Sequence, residues 1–492
     1  MIIKSDQSEI QDYLKDASNT QGFCDAVVYP ENTEDIIDIL TNANKKKTKV
    51  TVCGNRTGLT GASVPRGGIV ISTEKLNKIL EINTEDKFAI VEPGVILSDF
   101  LNEIKIKNLY YPPDPTELNC FIGGTVATNA SGSKTFKYGP TRDFILGLDV
   151  ILPAGEILKL ERGVDFANKN NLILKTESGK MYKLNLPEMK SIQTKNAAGY
   201  QCKENMDAID LFIGSEGTLG VITKIKLKLL NSPEDIISCV LFFDEETTAL
   251  DFLEEARNLS HKNSKSKNDI SINALALEFF DEKALKFLLN DFSTIPANAK
   301  AAIWFEQECT KDSSDSILEA WNALMQKHDV KEEFSWFAFS DADKEKIKDF
   351  RHAISWKVNE YVTRNNFRKL GTDVAVPDKS FREFYLTLQR WAKQSNIDTV
   401  AYGHFGNSHV HLNFLPKNDF EFNVSKALYN KICEEAVRLE GTISAEHGIG
   451  KNKTALLKMM YGERVISEMF AIKKTLDPNL ILGYGNIFTA TG

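Results

Sequence analysis

At 492 residues the chain exceeds what one hydrophobic core usually covers, so about two or three domains are expected. Its 60 Lys and Arg against 68 Asp and Glu leave a net charge of -8, which argues against nucleic acid or another polyanion as the main partner; 42% hydrophobic residues exclude a largely disordered chain. Seven scattered cysteines, odd in number and never in a C-x-x-C pair, read as reduced thiols in a cytoplasmic setting rather than as a disulfide framework.

The start, "MIIKSDQSEI", meets charged residues before any apolar stretch of signal-peptide length. "AVVYP" and "KVTVCG" predict strands on either side of a helix in "NTEDIIDILTNANK", where Asn32 or Thr33 caps the start. Lys45, Lys46, Lys47 and Lys49 are expected in the turn that follows. "GGIVIS", "FAIVEPG", "LGLDVILPAGEI" and "LGVITKIKLKLL" predict further strands, the last alternating Val221, Thr223, Ile225, Leu227 and Leu229 against Ile222, Lys224, Lys226 and Lys228. Beyond Asn231, Ser232 and Pro233 the pattern changes. Long amphipathic helices ("TTALDFLEEARNLS", "DSILEAWNALMQKH", "KSFREFYLTLQRWAKQ", "VSKALYNKICEEAVRLEG") alternate with β-rich runs, predicting an antiparallel sheet with helices on one face. Lys262, Lys265 and Lys267 are expected in a polar loop of this part. Residues 399–416 are uncharged, but three histidines and two asparagines among them argue against a membrane span, and no transmembrane segment is expected.

Neither G-x-G-x-x-G opening a βαβ unit nor G-x-x-x-x-G-K-[ST] occurs, so a Rossmann or P-loop enzyme lacks support. The glycines cluster instead in "CGNRTGLTGASVPRGG", "PPDPTELNCFIGGTVATNASGSKTFKYGPTRD" and "IGSEGTLGVIT". Each adjoins a predicted strand, and glycine lets backbone N–H groups converge on an anion. One such cluster is as easily a tight turn; three together suggest a large anionic cofactor held by loops.

"YGHFGNSHVHLN" places three of the seven histidines within twelve residues. As a strand, its period of two points His409, His411 and Asn413 to one face and Val410, Leu412 and Phe414 to the other. A Gly-Asn turn folds His404 back toward the first face, and Glu446 of "GTISAEHGIGK" completes a His/His/Glu set suited to zinc, manganese or iron. The same run also fits satisfied polar residues at a domain interface.

The three glycine clusters, with "KNAAGYQCK" between the second and third, resemble the FAD-binding domain of the vanillyl-alcohol-oxidase-type flavoproteins. The later segments resemble its branch of FAD-linked D-2-hydroxy acid dehydrogenases, which includes cytochrome-type D-lactate dehydrogenase, D-2-hydroxyglutarate dehydrogenase and the glycolate oxidase D subunit. The resemblance implies an α+β protein: a two-lobed FAD-binding domain over residues 1–230, an antiparallel-sheet cap over 231–445, and a segment 446–492 returning to the first domain. It implies that Gly54, Asn55, Arg56, Thr57, Gly58 and Leu59 offer the pyrophosphate their backbone amides. Pro113, Asp114, Thr116, Gly124, Thr128, Asn129, Gly132 and Tyr138 would line the flavin and ribityl chain, and Glu216, Gly217 and Val221 would lie near the adenine half. Covalent members of this fold often attach FAD through a histidine in the first glycine loop; this loop has none, so noncovalent FAD is expected.

For the site, the resemblance implies His404, His411 and Glu446 as ligands of a divalent metal, Asn413 toward the substrate and His447 as general base. At His409 the family pattern has asparagine, leaving three readings: a fourth ligand, a partner to a ligand, or a strand residue substituted without consequence. Arg351 matches the family's carboxylate-binding arginine, Ser355 lies one helical turn on, and Lys369 is a candidate for a second carboxylate. Without the resemblance, Arg351 and Lys369 read as surface ion-pair residues. "LGYGNIF" departs from the family's Asn-Pro-Gly-Lys, which weakens the carry-over of the C-terminal flavin contacts, and none is assigned there.

The implied reaction oxidises a D-2-hydroxy acid, D-lactate first, with electrons passing to a cytochrome, quinone or electron-transfer flavoprotein. Oxidation of 2-hydroxyglutarate or glycolate is the alternative. The protein would be cytoplasmic or peripheral at a membrane, with a homodimer one arrangement open to it. A flavin-dependent alkylglycerone phosphate synthase shares the fold but carries a triple-histidine run where this chain reads "SAEHGIG", and the Glu446-His447 pair argues for the dehydrogenase. A non-enzymatic flavin-binding partner of an iron-sulfur subunit is a third reading; the cysteines offer no cluster of their own.

Overall fold

A computed structural model of the chain describes residues 1–266, 268, 270–367 and 369–489. Three large sheets and two two-stranded ones, Asn171–Lys175 with Met181–Asn185 and Leu109–Tyr110 with Leu230–Asn231, organise the described residues. The first runs Ile2–Lys4, Ala26–Tyr29, Ile69–Ser72 and Val50–Cys53 in spatial order. Its last three strands are parallel, which demands a crossover, and the Thr33–Lys46 helix supplies one. Asn32 caps that helix by accepting from Asp35 N at 2.9 Å. Glu34 and Asp35 in its first turn and Lys45 and Lys46 in its last suit the helix dipole, and left-handed Lys47 ends it. Two of the lysines expected in a turn therefore close the helix instead. Ile36, Ile39 and Leu40 bury against Val28, Val50 and Ile71.

The second sheet is antiparallel, in the order Ile79–Asn83, Phe88–Val91, Val221–Lys228, Ile145–Ile151 and Ile157–Glu161. Its central strand buries Val221, Thr223, Ile225 and Leu227 and exposes Lys224 and Lys228, following the alternation of the sequence. Near the chain end, Leu482 makes a parallel bridge to Val50, so the last stretch rejoins the first sheet.

The third sheet has eight strands, all pairings antiparallel, and its middle is built from Asp235–Phe243, Ala301–Cys309, Ala276–Asp281, Thr399–Gly403 and His409–Phe414. Helices cover both its faces, not one as expected. Val240, Phe242, Phe280 and Trp304 pack against the Glu282–Leu288 and Asp341–Arg364 helices. On the opposite side Leu241, Phe243, Ile303 and Phe305 join a core with Phe252, Trp321 and Tyr385 of the Glu246–Ser266, Ser314–Lys327 and Asp378–Ser395 helices. The near-continuous apolar runs "SCVLFF" and "AAIWF" are the physical reason, because a strand apolar on both sides needs cover on both. Lys262 and Lys265 lie in the long Glu246–Ser266 helix rather than in a loop, and Lys267 lies outside the described residues. Among the described residues no helix is long and apolar enough to cross a membrane, and all seven cysteines are free and buried.

Candidate active site

A cavity of about 1830 Å³ is lined by the glycine loops of the first part and by the end of the third sheet. That exceeds the roughly 300–1,000 Å³ of ordinary small-molecule pockets and accommodates a dinucleotide with a substrate beside it. All of Gly54 to Leu59 line it, in the loop that leaves the Val50–Cys53 strand. Within this loop Arg56 holds φ at 62° while its guanidinium stacks over Tyr13, 4.5 Å from the ring centre. At Gly124 an added Cβ would meet no atom within 4 Å, so glycine there leaves the cavity wall open for a ligand's close approach.

His404, His411 and Glu446 line the same cavity, and Ser131 of the second glycine cluster donates to Glu446 Oε1 at 3.3 Å. His404 follows the Thr399–Gly403 strand, the 405–407 turn reverses the chain, and the His409–Phe414 strand presents His411 beside it. His404 Nδ1 donates to the buried carboxylate of Glu278 at 2.6 Å, and His411 Nδ1 donates to the Thr372 carbonyl at 3.0 Å. With each Nδ1 committed, each Nε2 turns its lone pair toward Glu446, at 3.0 Å for His404 and 3.6 Å for His411. Acceptors that face one another in a buried site need a positive charge between them, a proton or a cation. Donor atoms of His404, His409, His411 and Glu446 all lie within 4.8 Å of one another, so the residues fit a divalent metal. Burial alone would lower the His404 pKa, but Glu278 and Glu446 outweigh it and raise it. Glu446 is held well below the carboxylate range: burial works the other way and is overcome by His404 and by Lys195, whose ammonium also contacts it.

Asp373 ties this cluster to the 444–447 loop. It is fully buried and accepts from Glu446 N at 3.1 Å, His447 N at 3.0 Å, Ser444 Oγ at 2.8 Å and Lys453 Nζ at 2.8 Å. His447, Lys453 and His409 more than offset burial and keep its pKa well below the usual value. His447 stands with Nδ1 3.4 Å from Asp373 Oδ2, and its ring stacks on His411 with 5.5 Å between centroids. Burial lowers its pKa to about 4, so the imidazole is neutral at neutral pH, as a proton acceptor must be.

Of the remaining expected residues, Thr116, Thr128, Glu216, Gly217, Arg351, Ser355, Lys369 and Asn413 line the same cavity as the cluster. Arg351 is only 5% exposed and lies 2.8 Å from Glu278 Oε2, though without hydrogen-bond alignment, so its ion pair is buried rather than superficial. Lys369 donates to Asn359 Oδ1 at 2.7 Å and makes no surface ion pair among the described residues. The Asn413 amide nitrogen turns to the His411 carbonyl, 3.3 Å away. The Glu216 carboxylate accepts from Ile449 N at 2.8 Å and Gly450 N at 2.6 Å, which fastens the 449–450 loop to the glycine loops.

Six expected cofactor contacts lie off the cavity surface. Pro113 and Val221 are buried. Asp114 accepts from Ser133 Oγ at 2.7 Å and Lys134 N at 3.1 Å, and Gly132 packs so closely on Asp114 that a Cβ would lie 2.1 Å from its carbonyl oxygen. Asn129 Oδ1 accepts from Arg142 N at 3.0 Å, and Tyr138 donates to Glu308 of the third sheet.

Four charged residues around the cluster escaped the sequence reading: Glu278, Asp373, Lys195 and Lys453. A signal existed for the two acids. Each interrupts an apolar strand-like run, "ALALEFF" and "GTDVAV", where an unpaired carboxylate would be costly.

Comparison with known proteins agrees with this architecture. Residues 24–161 match the FAD binding domain, and residues 244–487 match the C-terminal domain of FAD linked oxidases. The glycolate oxidase subunit GlcD of Bacillus subtilis is 29% identical over 483 residues, 95% of this chain and 90% of that protein. The D-lactate dehydrogenase of Anaerostipes hadrus is 28% identical over 477 residues, 94% of this chain and 89% of its own. Among solved structures, p-cresol methylhydroxylase with substrate bound superposes with a TM-score of 0.71 at 15% identity, covering 100% of this chain and 94% of that one.

Proposed function

The chain belongs to the FAD-linked oxidases, and on that premise we propose that it is a metal-dependent dehydrogenase oxidising a small D-2-hydroxy acid, D-lactate first, to the 2-keto acid. The observation that carries this reading is the turning of two imidazole Nε2 atoms onto one carboxylate, beside the Asp373–His447 pair, on the wall of a dinucleotide-sized cavity. When bound, the flavin supplies a two-electron acceptor and the cation polarises the substrate hydroxyl. The residues Gly54 to Leu59 and Gly124 would cradle the cofactor, and His404, His411 and Glu446 would hold the metal.

The protein's own groups then have distinct tasks. Arg351, fixed by Glu278, grips the substrate carboxylate, and Glu278 also fixes the His404 tautomer, so substrate and cation share one anchoring acid. His447 removes the hydroxyl proton as Cα gives up its hydride, and Asp373 orients the ring and stabilises the imidazolium that results. The two electrons leave for an external acceptor, a cytochrome, quinone or flavoprotein. Lys369, on the same wall with a neutral partner, is the observation that favours 2-hydroxyglutarate as the second reading, since its ammonium is available to a distal carboxylate.

The test is anaerobic flavin bleaching by a panel of D- and L-hydroxy acids. D-lactate or D-2-hydroxyglutarate should bleach the flavin and L-lactate should not; a colourless natively purified protein, or bleaching by none of the panel, removes the reading. Acid precipitation should release all the flavin, because the first glycine loop offers Asn55, Arg56 and Thr57 and no histidine.

A further inference from the structure

His409 is the one member of the histidine cluster to which the mechanism gives no task. It is 0% exposed, and its ring lies 4.4 Å from that of His411 and 5.3 Å from that of His404. Neither ring nitrogen has an aligned hydrogen-bond partner. Nε2 stands 3.1 Å from Asp373 Oδ1, off the line of a hydrogen bond, and Nδ1 has nothing at all. A polar ring kept merely for packing would be expected to satisfy its nitrogens, as nearly all buried polar groups do. Instead His409 contributes a donor atom to the set of four that lies within 4.8 Å.

We propose that His409 is a fourth protein ligand of the cation held by His404, His411 and Glu446, and that Asp373 positions it. The inference rests on the cation site of the proposed function and deepens it. Asp373 Oδ1 stands 3.1 Å from Nε2, near enough for a small turn of the ring to give it the carboxylate partner usual for metal-bound imidazoles, with Nδ1 left for the cation. The same carboxylate receives the N–H groups of Glu446 and His447, so one buried acid sets the place of two ligands and of the base. A fourth ligand changes what the site accepts. If the cation bound were one that takes six ligands, four protein donors would leave two positions, as many as the hydroxyl and one carboxylate oxygen of a 2-hydroxy acid would fill. Three imidazoles and one carboxylate on a divalent ion also leave a net positive charge to receive an anionic chelator.

The experiment uses the full flavin-loaded chain, stripped of metal by chelator dialysis and titrated with Zn²⁺ by calorimetry. His409→Asn should keep the flavin spectrum and weaken Zn²⁺ binding by more than the roughly 10- to 100-fold that loss of an outer partner costs, while His404→Ala should abolish it. Zinc anomalous diffraction on the wild-type protein should place the ion about 2.0–2.1 Å from a His409 nitrogen, which answers the question even if the variant folds poorly. Zn²⁺ bound by wild type with unchanged affinity in His409→Asn, or an ion out of reach of that ring, overturns this inference and leaves the three-ligand site standing. No Zn²⁺ binding by the wild type overturns both.

Discussion

Replacing Asp373 with asparagine keeps the shape of the side chain and removes its charge. In the native structure one oxygen accepts from Ser444 Oγ, His447 N and Lys453 Nζ, while the other accepts from Glu446 N. An amide supplies only one acceptor oxygen, so whichever way it turns, its NH2 faces groups that also donate. Lys453, 2.8 Å away and nearly buried, loses its counter-charge, and breaking a buried pair from one side costs about 3–5 kcal/mol. His447 loses the carboxylate 3.4 Å from its Nδ1, which should lower the rate of flavin reduction by about 10²- to 10⁴-fold. Two measurements check this: chemical denaturation of the flavin-loaded variant, and anaerobic stopped-flow bleaching by substrate. Because Asp373 acts through His447, the pH profile of bleaching should change shape as well as height. Wild-type stability together with wild-type bleaching would refute the assignment of Asp373 as the organiser of the site.

Three further outcomes follow from the same contacts. His447→Ala should retain bound flavin while substrate-driven bleaching falls by about 10²-fold or more, and unchanged bleaching would remove it as the base. Arg351→Lys replaces a rigid fork by a point charge at a site only 5% exposed, so kcat/KM should fall about tenfold or more, mainly through KM; an unchanged KM would place the substrate carboxylate elsewhere. Asp281 caps the Glu282–Leu288 helix and accepts from Ala401 N at 2.9 Å, and burial raises its pKa from 3.8 to about 7. The folded state thus holds a proton that the unfolded state releases, so stability falls as pH rises from about 4 to 7, by up to about 4 kcal/mol. Asp281→Asn lacks that titration, and its unfolding free energy relative to wild type should move in the variant's favour between pH 4.5 and 7.5. A difference that stays constant with pH would show that Asp281 is ionised in the fold.

Much of the architecture was legible because its signals are local. Alternation of Val221 to Lys228 between buried and exposed reports one strand's own periodicity, and the "NTEDIIDILTNANK" helix carries its cap and its dipole charges within itself. The strand placing His409, His411 and Asn413 on one face was readable for the same reason. Helices on both faces of the third sheet were less so, since a continuous apolar run states that a strand is buried without saying by what.

The sequence by itself determined which side chains a strand or turn would offer: His404 and His411 across the 405–407 turn, and Glu446 next to His447 in a glycine-rich loop. Only the tertiary structure decided their partners. Glu278 reaches His404 from 126 residues away, and Lys195 reaches Glu446 from 251. Periodicity describes neighbours along the chain, whereas a buried charge is stable only where packing brings a counter-charge to it, and that match is set by how the sheets and loops close on one another.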